Sequence, residues 1–181
     1  MHLRPHKIMA LLAIFLCLAT PLQAGSSRSL SAEIEAAFLV QFSKYISWPA
    51  HCFASPTAPV IIGILGRDPF GSKIDQISRS FNANGRGVEV RRLADPEHAK
   101  TCHILFVSAS KPTTMESISR ILAGRPIVLV SSTKDFLARG GMINFITLGT
   151  KIRFDINLTN CRHTGIKISS KLLKIAHRVT Q

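Results

Sequence analysis

The sequence is poor in charge and poorer still in acid. Only 18% of its 181 residues are charged, and 10 Asp and Glu stand against 23 Lys and Arg. With 46% apolar residues and 11 Gly and 9 Pro spread along the chain, the composition excludes disorder, a collagen repeat and a long coiled coil. The shortage of acid leaves a formal net charge of +13, which suits a negatively charged partner or surface without choosing among them. No repeat, low-complexity linker or internal boundary is visible, and 181 residues are too few for two ordinary domains.

Signatures of catalysis are missing as well. There is no G-x-S-x-G elbow, no H-E-x-x-H helix and no compact pair of carboxylates, so no catalytic residue is assigned. Asp68, Asp95, Glu97, Asp135 and Asp155 fall in turns or on a strand face expected to be exposed, where solvation and local capping account for them. His51-Cys52 and Cys102-His103 have the residue types of a metal site but not the C-x2-C spacing of a zinc module. A strand would also send Cys102 and His103 to opposite faces. No metal and no cofactor are expected.

Beyond residue 24 no stretch is long and apolar enough to cross a bilayer. The first 24 residues are different: Arg4 and Lys7 precede a short apolar run from Met9 to Ala19, and Thr20-Pro21-Leu22-Gln23-Ala24 leads into a Ser-rich stretch. This reads as an N-terminal signal peptide, residues 1–24, ahead of a single domain, residues 25–181, in the periplasm. Its removal takes two basic residues and no acid, leaving 21 basic against 10 acidic residues.

In an oxidising compartment the cysteines matter. Cys52, Cys102 and Cys161 remain after export, and one pair can form in three ways, each leaving a thiol over. A Cys52–Cys102 disulfide is favoured, because it would tie the exit of the first helix to a strand across about fifty residues, a closure worth roughly 4 kcal/mol before strain. Cys161 is then a free thiol in the polar run Asn160-Cys161-Arg162-His163, where positive neighbours would lower its pKa.

Hydrophobic spacing gives the elements. Ile34, Phe38, Phe42 and Tyr45/Ile46 predict a helix over about 31–47, ended by Trp48-Pro49 because the residue before proline leaves the helical region. Val60–Leu65, Cys102–Val107 and Ile127–Val130 are short apolar runs that read as strands buried on both faces, and Val88–Leu93 reads as an edge strand. Helical patterns through Ile74 and Ile77 and over Pro112–Leu122 lie between them, which implies parallel crossovers. Met142–Leu148 and Lys151–Asn157 form an antiparallel hairpin around Gly149-Thr150, and Ile166 to Ala176 gives a last helix. The fold class is α/β: a three-layer sandwich with a mainly parallel sheet flanked by helices and a C-terminal antiparallel hairpin.

Two segments carry binding chemistry. Gly66-Arg67-Asp68-Pro69-Phe70-Gly71 joins a strand to a helix, where backbone N–H groups can receive an anion, so Gly66, Arg67 and Gly71 are candidate ligand contacts. The spacing fits neither a dinucleotide fingerprint nor a P-loop. Lys167, Lys171, Lys174 and Arg178 follow helical spacing and would form a partner-facing basic stripe. No stacking aromatics interleave with these residues, so nucleic acid is not the expected partner.

Taken together, these segments resemble the YfiR-like family of periplasmic repressors. The resemblance rests on Glu35-Ala36-Ala37-Phe38-Leu39 with Lys44-Tyr45-Ile46-Ser47-Trp48-Pro49, on Ile62 to Gly71, on Cys102-His103-Ile104-Leu105-Phe106, and on a long tail signature. That tail runs through Phe136, Gly140-Gly141-Met142-Ile143-Asn144-Phe145, Lys151-Ile152-Arg153-Phe154-Asp155-Ile156-Asn157 and Leu172-Leu173-Lys174-Ile175-Ala176. Trp48, Pro49, Gly66, Gly140, Gly141, Phe154 and Asn157 are its signature positions and are expected to be structural. The resemblance implies a non-enzymatic regulator that binds the periplasmic domain of a membrane-bound diguanylate cyclase, lowers cyclic-di-GMP signalling and so regulates biofilm. It also implies a homodimer, an outer-membrane lipoprotein that sequesters the repressor, and disulfides used for stability, of which a second bridge near the final hairpin has no counterpart here. The alternative is a periplasmic small-molecule-binding module of another sensor or transport system.

Overall fold

The computed structural model describes residues 24–110, 115–162 and 164–181. Residues 1–23, which carry almost all of the expected signal peptide, lie outside the described residues, as does the start of the helix expected from Pro112. Helix α1 covers Ala24–Tyr45, beginning before the expected Ser31, and ends where Trp48-Pro49 follow. Two-residue strand β1 (Ile46–Ser47) comes next. The chain then alternates: β2 (Val60–Leu65), α2 (Ser72–Arg79), β3 (Val88–Leu93), a 3-10 turn at Pro96–Thr101, β4 (Ile104–Val107), α3 (Met115–Ile121) and β5 (Val128–Ser131). Hairpin strands β6 (Ile143–Leu148) and β7 (Lys151–Asn157) follow, then α4 (Thr159–Arg162), β8 (Lys167–Ile168), α5 (Ser170–Ile175) and β9 (Arg178–Thr180).

The main sheet has seven strands in the order β3-β2-β4-β5-β6-β7-β9. Its pairs are parallel except the β6–β7 hairpin, in which Phe145 faces Phe154 and Asn144 faces Asp155. The β1 and β8 strands form a separate antiparallel pair, Ile46 opposite Ile168. Residues Ser31–Gln181 gather into one compact unit.

Strand alternation divides the core into two layers. Ile62, Ile64, Ile104, Phe106, Val128 and Val130 point to one face, where α1 brings Ala36, Leu39, Val40 and Phe42, and α2 brings Ile74. Leu65, Leu105, Val107 and Leu129 point to the other, against Met115 and Ile118 of α3 and Phe136. A four-ring cluster joins α1 to the hairpin: Phe42 stacks on Phe145 at 5.8 Å between centroids and meets Phe154 edge-on at 5.1 Å, with Phe38 5.4 Å from Phe154. Truncating so deeply buried a ring costs about 3–5 kcal/mol, which gives signature residue Phe154 a structural role.

The C-terminal segment departs from its expected single helix. Lys167 pairs with Ser47 in a strand, Lys171 and Lys174 lie on the six-residue α5, and Arg178 lies on β9. Ser169 caps α5 through its hydroxyl, accepting from the Lys171 N–H. The extended residues on both sides break the helical spacing that would have aligned the four basic side chains.

Candidate functional site

The chain that leaves α1 folds back over the N-terminal ends of β2 and β4 and is fastened there through His103. The His103 N–H donates to the Ile61 carbonyl at 2.9 Å, and its own carbonyl accepts from Val128 N–H at 2.9 Å and from the Trp48 indole Nε1 at 3.2 Å. Its imidazole Nδ1 accepts from the Ile61 N–H at 3.0 Å, which places the neutral ring's proton on Nε2. Phe53 stacks on this ring at 4.4 Å, and the Arg86 guanidinium covers the far face of Phe53, 3.7 Å from its centroid. Arg86 also donates to the carbonyls of Ser55 and Ala58 and so anchors the returning loop.

His103 is only 4% exposed, and its Nε2 has no hydrogen-bond partner. Burial pushes its pKa down, aided by the charges of Arg86 and Arg91; the Cys52 carbonyl opposes this from close by, without hydrogen-bond geometry. The ring is therefore held neutral.

Around this stack opens a cleft of about 520 Å³. Its apolar lining includes Phe53, Ile61 and Ile127, and its basic residues are His51, Arg91, Lys100 and Arg125. The acid in its lining, Glu89, is held by Arg91 at 2.6 Å, and Lys100 pairs with Glu97. Arg125 is exposed and makes no ion pair among the described residues. Cys52 and Cys102 line the same cleft as free thiols, Cys52 half-buried and Cys102 buried. Burial raises the pKa of both, that of Cys102 to about 11, so they are neutral thiols at physiological pH.

Alternation was expected to send Cys102 and His103 apart, but β4 begins only at Ile104, and both residues line the cleft from the irregular approach to the strand. Among the described residues no group of three or more His, Cys, Asp or Glu is placed to hold a metal ion.

The Gly66–Gly71 loop is closed by Asp68 from within and by Ser110 and Arg92 from outside. Gly66 and Gly71 have φ of +94° and +55°, values that favour glycine, and they shape the turn into α2. The N–H groups of Phe70 and Gly71 donate to Asp68 Oδ1 at 2.7 and 3.2 Å, and that of Arg67 to Ser110 Oγ at 2.8 Å. Arg92 then locks the loop by donating to Asp68 at 3.0 Å, to Asp75 at 2.6 Å and to the Gly71 carbonyl at 2.9 Å. The backbone donors expected to meet an anion at Arg67 and Gly71 are thus engaged by a hydroxyl and a carboxylate of this chain.

The remaining signature positions fasten the hairpin. A Cβ on Gly141 would lie 2.1 Å from the Phe136 ring, and Asn160 Nδ2 donates to the carbonyls of Gly141 and Leu137 at 2.7 and 3.1 Å. Gly140 has φ of +96°. Asn157 N–H donates to the Met142 carbonyl at 2.8 Å, and Pro49 lies 3.1 Å from where a Cβ on Gly165 would stand. The Cys161 thiol is buried and donates to the Asn157 carbonyl, and burial raises its pKa to about 11. That reverses the direction expected from its basic neighbours in sequence. Asp155, expected on an exposed face, is buried and takes His177 Nδ1 at 2.9 Å and Arg178 Nη2 at 2.8 Å. Arg178 is thereby drawn away from any stripe with the lysines.

The order of these elements along the chain decides its kinship. Residues 32–177 match the model of a family described as YfiR/HmsC-like. The chain belongs to the YfiR/HmsC-like family. This family is one of periplasmic regulators, and among the described residues no helix is long and apolar enough to cross a membrane. Two solved structures share the fold. One is the ABC domain from Streptococcus pneumonia in complex with L-Trp, at 12% identity and TM-score 0.53 over 80% of this chain and 60% of that one. The other is a conserved domain protein from Vibrio cholerae O1 biovar eltor, at 10% identity and TM-score 0.53 over 82% and 60%. The chain spans about 60% of the length of each.

The family resemblance marks Trp48, Gly141 and Phe154, but the sequence reading missed the His103 stack, the basic cleft and the Asp155–His177 pair. The polar character of Cys102-His103 at the head of an apolar strand was the available signal for the first two.

Proposed function

We propose that this YfiR/HmsC-like protein is a non-enzymatic periplasmic repressor that binds the periplasmic domain of a membrane-bound diguanylate cyclase and lowers cyclic-di-GMP output. The observation that carries this reading is the family match over residues 32–177. The surface between α1 and α5 supports it. A groove of about 240 Å³ is lined by Phe38, Phe42, Tyr45, Leu172 and Ile175, with Ile175 53% exposed and Lys171 and Lys174 exposed beside it. Such a surface suits a partner with an apolar anchor and acidic surroundings.

Repression works by a population shift, in which the protein binds the inactive receptor conformation more tightly than the active one. A differential affinity of about 2–3 kcal/mol changes the balance by some 30- to 150-fold. Export by the N-terminal leader, homodimerisation, sequestration by an outer-membrane lipoprotein and the Cys52–Cys102 disulfide belong to the same proposal. Crosslinking in the periplasm followed by mass spectrometry should recover a membrane receptor with a cyclase domain, and deletion of the gene should raise cellular cyclic-di-GMP. Unchanged cyclic-di-GMP on deletion, with no receptor captured, would overturn the reading.

A further inference from the structure

The geometry points to the cleft beside His103 as a binding site for a small organic anion with a flat apolar body. Open parallel sheets usually take ligands at the carboxyl ends of their strands, where strand order reverses. In this sheet the reversal falls between β2 and β4, and the Gly66–Gly71 loop at that end is closed by Asp68 and Arg92. The opposite end is open. There the chain before β4 and before β5, the start of β2 and the face of β3 together enclose about 520 Å³, within the range of small-molecule sites.

The chemistry of the walls selects the ligand class. Ile61 and Ile127 offer an apolar surface, and Phe53, covered by His103 on one face and by Arg86 on the other, adds its edge. Of the basic residues at the rim, Arg91 and Lys100 are partnered by Glu89 and Glu97, whereas Arg125 and His51 have no ion pair among the described residues. Arg125 therefore presents an unused planar fork to a carboxylate or phosphate. With Glu89 neutralised, no unpaired acid in the lining opposes an anion. Cys52 and Cys102 add polarizable, uncharged surface both as neutral thiols and as the proposed disulfide.

Titration calorimetry of the purified protein with 2-naphthoate, its neutral analogue 2-naphthamide and inorganic phosphate tests the assignment. Saturable binding of naphthoate is expected, with at least tenfold weaker binding of both naphthamide and phosphate. Arg125→Gln should weaken naphthoate at least tenfold, while Arg139→Gln, at an exposed position outside the cleft, should leave it unchanged. Unliganded melting temperatures of both variants should match the parent, since neither residue is buried. No saturable naphthoate binding, equal binding of naphthamide, or equal loss in both variants would overturn the site. Phosphate binding as tightly as naphthoate would overturn the apolar body. These outcomes are independent of receptor capture, so this site and the repressor reading can fail separately.

Discussion

The Trp48 indole donates to the main-chain carbonyl of His103 across 55 residues of sequence, and the two rings meet edge to face at 5.6 Å between centroids. This contact converts the exit of α1 into a wall of the sheet. Trp48→Phe keeps most of the apolar contact and removes the donor, so the expected loss is about 1–2 kcal/mol in urea unfolding. Trp48 is the sole tryptophan, so its emission in the parent reports on this junction directly. A Phe variant as stable as the parent would show that the hydrogen bond contributes nothing.

Gly141 is required by a close approach. A methyl group there would fall 2.1 Å from Cδ1 of Phe136, a ring 1% exposed and packed among Leu129, Ile118 and Leu137. Gly141→Ala should cost about 3 kcal/mol or more, because the ring has no empty space to enter. Gly149→Ala is the comparison, since no atom lies within 4 Å of its added Cβ and only its φ of +60° is penalised, at about 1 kcal/mol. If the two substitutions cost the same, crowding at Phe136 is not what selects glycine.

These two cases show why the sequence was legible in some places and not in others. The strands at Val60, Ile104 and Val128 and the hairpin were readable because apolar runs bounded by Gly and Pro admit few alternatives. The final segment misled because Lys167, Lys171 and Lys174 fit a helix by spacing, yet pairing of Lys167 with Ser47 and a cap at Ser169 override local periodicity. Asp155 misled for a similar reason. Its strand has water on neither face near its end, and partners 22 and 23 residues away make its burial tolerable. The cleft was hidden because its residues come from five separated segments.

Asp155 also predicts how the sheet edge is held. Its carboxylate, 4% exposed, binds both His177 and Arg178, the residues that bring β9 alongside β7. Removing it leaves two basic side chains that themselves reach solvent, so the expected cost of Asp155→Asn is about 2 kcal/mol, below that of breaking a fully buried pair. Amide exchange at Arg178, Val179 and Thr180 should quicken more than at β4. Uniform protection across the sheet in the variant would mean that β9 is held by its backbone pairing alone.

Two titratable groups, one partly and one fully buried, should make stability respond to pH in opposite senses. Glu35 on α1 has its pKa raised from 4.5 to about 7 by burial. The folded protein then holds a proton that the unfolded chain releases, so this contribution is complete below about pH 4.5 and is lost as pH rises through about 7. A shift of that size corresponds to about 3 kcal/mol, and partial exposure of the carboxyl reduces the expectation to about 2 kcal/mol. His103 acts the other way. Its pKa is lowered from 6.5, so the unfolded chain binds the extra proton, and its contribution is complete above that value and lost as pH falls through the folded one. Urea unfolding at pH 5 and pH 8 separates the two. On raising the pH over that interval Glu35→Gln should end about 2 kcal/mol better off than the parent, because the amide has no proton to lose and only the opposing gain from His103 remains. An unchanged difference between the two pH values in Glu35→Gln would show that the carboxyl is already ionised at neutral pH, and that α1 tolerates its charge.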